Sequence, residues 1–188
     1  MKEQEGSITL SFKPGDLIFI RESNLAAWLI RYWTRRGAPS WEPDGFNHVA
    51  ICIKGAKWLS AEPSGIKMVS ITELIKRARC FYIMRYEGEQ AEKASEVADI
   101  ALKLAAGRPY DFLGIIGFVM HRLLNIKVDW GNKWFCSELC TQAYIEFFAK
   151  YGVCFENRDP ADTTPNDMAN WALRNGFRIV SVVEMLKH

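Results

Sequence analysis

Histidine is scarce in this chain: three in 188 residues, at His48, His121 and His188. Histidine-dependent chemistry therefore has few places to reside. Cys-x-x-Cys pairs are absent. The five cysteines, Cys52, Cys80, Cys136, Cys140 and Cys154, are odd in number and irregularly spaced. That excludes a zinc ribbon and fits free thiols in a reducing compartment better than a disulfide scaffold. No basic block or acidic tail interrupts the mixture of 24 basic and 22 acidic residues, so no nucleic-acid partner is expected at a net charge of +2. The longest apolar run, Phe112 to Met120, is too short for a bilayer and ends at His121-Arg122. Met1 to Gly6 is polar, and no apolar signal segment follows it. The expectation is a cytoplasmic protein with no integral membrane segment. Repeats, low-complexity tracts and linkers are also missing, so residues 1–188 read as one domain. Nothing in the sequence fixes its oligomeric state.

What is present is a globular composition, 49% hydrophobic with seven tryptophans. Leu17-Ile18-Phe19-Ile20 is a continuous apolar run and predicts a buried strand, after a turn at Lys13-Pro14-Gly15-Asp16. Ser7 to Phe12 alternates and predicts another strand. Leu25 to Thr34 predicts a short amphipathic helix, with Arg31, Arg35 and Arg36 as a solvated face. Phe46 to Ile53 and Trp58 to Glu62 predict a hairpin turning near Gly55. Ile66 to Val69 predicts a strand, Ile71 to Arg77 a helix, and Cys80 to Tyr86 a strand rich in β-branched and aromatic residues. Glu89 to Ala106, Phe112 to Leu124 and a stretch from about Phe135 to Phe148 predict helices. Met168 to Asn175 and Phe177 to Val183 predict a last helix and strand. Strands first, helices second and one strand at the end is an α+β order.

Cys136 stands where the periodic residues Leu139, Ala143 and Phe147 begin, so it opens a helix. Helix starts expose N–H groups and a dipole that favour an anion, and the thiolate is the nucleophilic form of cysteine. A nucleophile needs a base and an orienter. His48 opens a strand on the face opposite Val49 and Ile51. Glu62 ends the returning strand of the same hairpin, where a carboxylate can accept an imidazole N–H. Tyr110 is a candidate donor to a developing oxyanion, beside the backbone N–H of Cys136. Each has a plainer reading: Cys136 as a small buried hydrophobe, His48 as a structural strand residue, Glu62 as a solvated acid, Tyr110 as a half-buried ring. Cys136, Cys140 and His48 also invite a zinc reading. Cys140, four residues on, is better explained as a buried helix position, and neither metal nor cofactor is expected.

The succession Pro14-Gly15-Asp16-Leu17-Ile18-Phe19, Asn47-His48-Val49-Ala50-Ile51, Ala61-Glu62-Pro63, Tyr110-Asp111 and Phe135-Cys136-Ser137-Glu138-Leu139 resembles the circularly permuted papain-like NlpC-type cysteine hydrolases. These are the YiiX/YaeF-like group, relatives of lecithin:retinol acyltransferase. In the permuted group the histidine strand precedes the cysteine helix, as here. The helix at Leu25 to Thr34 and the late strand at Ser181-Val182-Val183, after Pro165-Asn166-Asp167, fit the same pattern. The resemblance spans roughly residues 14–167. It implies an α+β fold with an antiparallel, barrel-like sheet packed against helices. It implies Cys136 as nucleophile, His48 as base, Glu62 as third member and Tyr110 near the site. The expected substrate is a small peptide or acyl-amide, such as cell-wall peptide. Lipid-directed acyl transfer and a non-catalytic binding module are the alternatives.

Overall fold

A computed structural model describes residues 11–62, 65–106 and 136–184. Its six strands are β1 (Leu17–Glu22), β2 (His48–Lys54), β3 (Lys57–Glu62), β4 (Gly65–Ser70), β5 (Ala78–Tyr86) and β6 (Phe177–Glu184). The described helices are α1 (Leu25–Thr34), α2 (Ile71–Arg77), α3 (Glu96–Ala105), the cysteine helix (Cys136–Tyr151) and the C-terminal helix (Pro165–Arg174). All strand pairs are antiparallel, in the order β4-β3-β2-β1-β5-β6.

The continuous apolar run of β1 is explained by its place. It lies between β2 and β5, with Leu17 opposite Ile51 on one side and Met84 on the other. Both of its faces are covered, so alternation has no polar side to show. One face joins Leu17, Phe19, Val49 and Ile51 to Leu139, Tyr144 and Phe147 of the cysteine helix. The other joins Ile18, Ile20, Ala50 and Trp58 to Leu74 of α2. A capping box fixes the start of α2. Ser70 N–H donates to Glu73 Oε2 at 2.7 Å, and Glu73 N–H donates to Ser70 Oγ at 3.2 Å.

The cysteine helix is docked at the far end of β1. Tyr144 Oη donates to the carbonyl of Gly15 at 2.6 Å. Gly15 has φ +91, and a Cβ there would lie 2.5 Å from the carbonyl oxygen of Ala94, so only glycine fits this turn. Thr164 and Asp167 form the second capping box, and Asn166 between them ties the C-terminal helix to the loop before β2 by accepting from Phe46 N–H at 2.6 Å.

Two expectations change. The sheet is open: β4 pairs only with β3 and β6 only with β5 among the described strands, so no barrel-like closure forms. Helices rather than a returning strand cover the faces. The helix predicted over Glu89 to Ala106 begins later, at Glu96, after a 3₁₀ turn at Ala91–Lys93. Gln90 takes a left-handed φ of 65, and Tyr86 Oη holds the Glu89 carbonyl at 2.5 Å, so the turn leaving β5 uses up the first residues. The helix predicted over Phe112 to Leu124 lies outside the described residues, as does most of the Ser7 to Phe12 strand. Among the described residues no helix is long and apolar enough to cross a membrane.

Candidate active site

The β2–β3 hairpin supplies two of the predicted groups. Its register pairs Ile51 with Leu59 and Cys52 with Trp58, and continued to the start of β2 it sets His48 across from Glu62. Alternation turns His48, Ser60 and Glu62 to one face, and all three are buried. Cys136 is half-buried at the first position of its helix. It lies close enough to His48 to raise the imidazole's pKa. The structure thus brings Cys136, His48 and Glu62 into one cluster. Tyr110, His121 and His188 lie outside the described residues.

Glu62 does not touch the imidazole directly. His48 Nε2 lies 2.8 Å from Ser60 Oγ, Ser60 Oγ donates to Glu62 Oε1 at 2.7 Å, and the direct Nε2–Oε1 separation is 3.7 Å. Behind it, Arg77 at the last turn of α2 grips the carboxylate with both terminal nitrogens. Nη1 donates to Oε2 at 2.6 Å and Nη2 to Oε1 at 2.7 Å. This is the bidentate pairing that suits a planar guanidinium. Arg77 Nε also lies 3.4 Å from Glu22 Oε1. Asn47 brackets Glu22, accepting from its N–H at 2.9 Å and donating to its carbonyl at 3.1 Å. That pair of bonds fixes the end of β1 beside the start of β2.

The charges follow from these contacts. Burial alone would push the Glu62 carboxyl up. The hydrogen bonds from Arg77, the His48 charge and the Ser60 hydroxyl outweigh it and bring the carboxyl down to about 2. Burial alone would lower His48. The Cys136 sulfur and the Glu22 and Glu62 carboxylates outweigh that, so His48 lies above its ordinary 6.5. The site therefore favours the charged imidazolium of His48. The first N–H groups of an α-helix have no intrahelical acceptor, which suits a helix start to a developing oxyanion.

In the chain the histidine strand, β2, comes ahead of the cysteine helix. Residues 11–155 match the family described as permuted papain-like amidase enzymes, YaeF/YiiX, C92 family. The chain belongs to this family. Membership makes the cysteine-hydrolase class and the permuted papain-like fold plain, and the open antiparallel sheet with its helices is the α+β architecture the resemblance implied. Among solved structures the chain is similar to the crystal structure of the metalloprotein yiiX from Escherichia coli O157:H7, at 17% identity and a TM-score of 0.47, covering 94% of this chain and 97% of that one. No curated protein matches. Among the described residues no group of three or more His, Cys, Asp or Glu side chains is placed to hold a metal ion.

Sequence reasoning passed over Ser60, Arg77 and Glu22. Ser60 did carry a signal, since it is a polar residue at the buried alternate position of an apolar strand. Arg77 carried none, because a basic residue closing a short helix is an ordinary C-terminal feature. Cys140 is buried, and desolvation raises its thiol well above the usual value, in keeping with a packing role.

Proposed function

We propose that the protein hydrolyses an amide of peptide type, such as a cell-wall peptide, with Cys136 as nucleophile, His48 as proton carrier and Glu62 as the third polar member. The observation that carries this reading is Cys136 at a helix start, close to a buried His48 whose Nε2 faces a fixed polar chain. The sulfur attacks the carbonyl carbon, forming a C–S bond and an oxyanion beside the helix N-terminus. Collapse breaks the C–N bond, and the imidazolium gives its proton to the leaving amine. Neutral His48 then takes a proton from water, whose oxygen displaces the sulfur and releases the carboxylic acid. Tyr110 is proposed as a further oxyanion donor on the strength of the resemblance.

Turnover of a panel of peptide amides, with and without an alcohol acceptor, tests the reading. Wild type is expected to release amine, and Cys136→Ala to fall by a factor of about 10³ or more. Full turnover by Cys136→Ala would refute it. Acyl transfer to the alcohol in preference to water would instead favour the acyltransferase alternative.

A further inference from the structure

We propose that Ser60 is the positioning residue of His48: its hydroxyl fixes the imidazole, and Glu62 acts only through it, held from behind by Arg77. This rests on the hydrolase reading above.

The argument is one of donors and acceptors. An ionised carboxylate only accepts hydrogen bonds. Both Glu62 oxygens are taken by Arg77, and Oε1 also receives the Ser60 hydroxyl at 2.7 Å. A serine hydroxyl has one hydrogen, and here it goes to Glu62. Toward His48, 2.8 Å away, Ser60 Oγ can then only accept. Nε2 must therefore carry a proton in every state of the ring. That leaves Nδ1 as the nitrogen that exchanges a proton with Cys136. A direct Nε2–Oε1 bond is excluded by the 3.7 Å separation, beyond hydrogen-bond range. Ser60 itself has little freedom, being fully buried and held in the β3–β4 ladder opposite Lys67.

The four links come from three elements. The ring comes from β2, the hydroxyl and carboxylate from β3, and the guanidinium from α2, whose start is pinned by its capping box. The charged groups facing the ring are Cys136 from the cysteine helix, Glu22 from β1, Glu62 from β3 and, through Glu62, Arg77 from α2. Removing the Ser60 hydroxyl cuts the hydrogen-bonded path from the negative carboxylate to Nε2. The imidazolium loses support, and the ring can adopt the tautomer with Nδ1 protonated, which cannot accept the thiol proton.

The test compares Ser60→Ala, Ser60→Thr and Arg77→Lys with wild type in two measurements. One is the pH profile of amide turnover. The other, which needs no substrate, is the pH profile of Cys136 alkylation by iodoacetamide, read by peptide mass spectrometry. Ser60→Ala is expected to lower kcat about tenfold or more with KM little changed, because a mis-set base loses part of its general acid–base contribution. The alkaline limb of turnover should move to lower pH, and the rise of alkylation with pH should move to higher pH. Ser60→Thr, which keeps the hydroxyl, should restore both, and Arg77→Lys should give smaller shifts in the same directions. The alanine variant only deletes an oxygen, so it tests the proposal even if threonine proves too large for the buried position. Wild-type profiles in Ser60→Ala, or a loss of stability without a shift in either profile, overturn the relay while leaving the hydrolase reading intact. If His48→Ala leaves the alkylation profile of Cys136 unchanged, the hydrolase reading itself has failed, and the relay with it.

Discussion

The two ends of the central strands carry the same kinds of group and put them to different uses. At one end, Asp16 is buried and gripped by Arg85, whose Nε donates to Oδ1 at 2.8 Å and Nη2 to Oδ2 at 2.7 Å. Cys52 lies beside that pair. At the other end, Glu62 is buried and gripped by Arg77 in the same two-pronged way, and Cys136 lies nearby through His48. A cysteine, a carboxylate and an arginine therefore occur twice. What differs is what the carboxylate does with its remaining capacity. Asp16 accepts the Lys13 N–H at 2.8 Å and so closes its own turn. Glu62 accepts a serine hydroxyl that leads to an imidazole. The thiols diverge accordingly. Cys52 is fully buried, and desolvation, reinforced by the Asp16 charge and partly offset by Arg85, pushes it to about 12. Cys136 opens a helix, is half-buried and lies close to His48, its proposed base. A reactive thiol thus requires a proton acceptor and access more than it requires neighbouring charge.

Thiol labelling should break this comparison most sharply. At pH 8 a thiol at about 12 is ionised to only about one part in 10⁴. Cys136 is therefore expected to label with iodoacetamide orders of magnitude faster than Cys52 in the folded protein. Peptide mapping separates both from the exposed Cys154. Equal rates at Cys52 and Cys136 would end the distinction.

Catalysis should follow the same division. Glu62→Gln is expected to lower kcat/KM by about 100-fold, since it removes the negative charge behind the general base. Asp16→Asn, assayed well below its melting temperature, should stay within about threefold of wild type. A large catalytic loss in Asp16→Asn with retained fold would show that the two ends are coupled.

Stability should sort the other way. Arg85→Ala strands the Asp16 carboxylate, which is almost fully buried, beside the turn that receives Tyr144. A loss of about 3 kcal/mol is expected, read as a lower denaturant midpoint. A midpoint unchanged from wild type would mean that water takes over from Arg85.

Acid titration gives the smallest expected effect. The Glu62 carboxyl lies lower in the folded chain, at about 2, than its ordinary 4.5. Its contribution to stability is present above about 4.5 and is lost as pH falls toward 2. Arg77→Met removes the largest cause of that lowering, so its acid-unfolding midpoint should move to higher pH. Circular dichroism across the acid range would show it, and an unmoved midpoint would mean that Ser60 and His48 alone hold the carboxylate ionised.

Much of this was legible in the residues. Leu17 to Ile20 announced a strand covered on both faces, and the helices at Leu25–Thr34 and Ile71–Arg77 have the bounds their patterns predicted. Alternation through His48, Ala50 and Cys52 placed the histidine on the right face. The Gly55 turn placed Glu62 on the neighbouring strand. Arg77 was illegible because its partner lies fifteen residues away across a turn and a strand. The open edge of the sheet was illegible too, since closure depends on where β4 and β6 end relative to one another, and local periodicity carries no such information.

By itself, the sequence determined the types of group and their order: a cysteine at a helix start, one histidine and one carboxylate on a preceding hairpin, and so the permuted arrangement. Local patterns decide this, because side-chain period and turn residues are properties of neighbours in the chain. Only the tertiary structure decided which atoms meet. The choice between Ser60 and Glu62 as the group against the imidazole turns on about 1 Å, the difference between 2.8 and 3.7 Å. Strand twist, the packing of α2 against the sheet and the grip of Arg77 set that distance together.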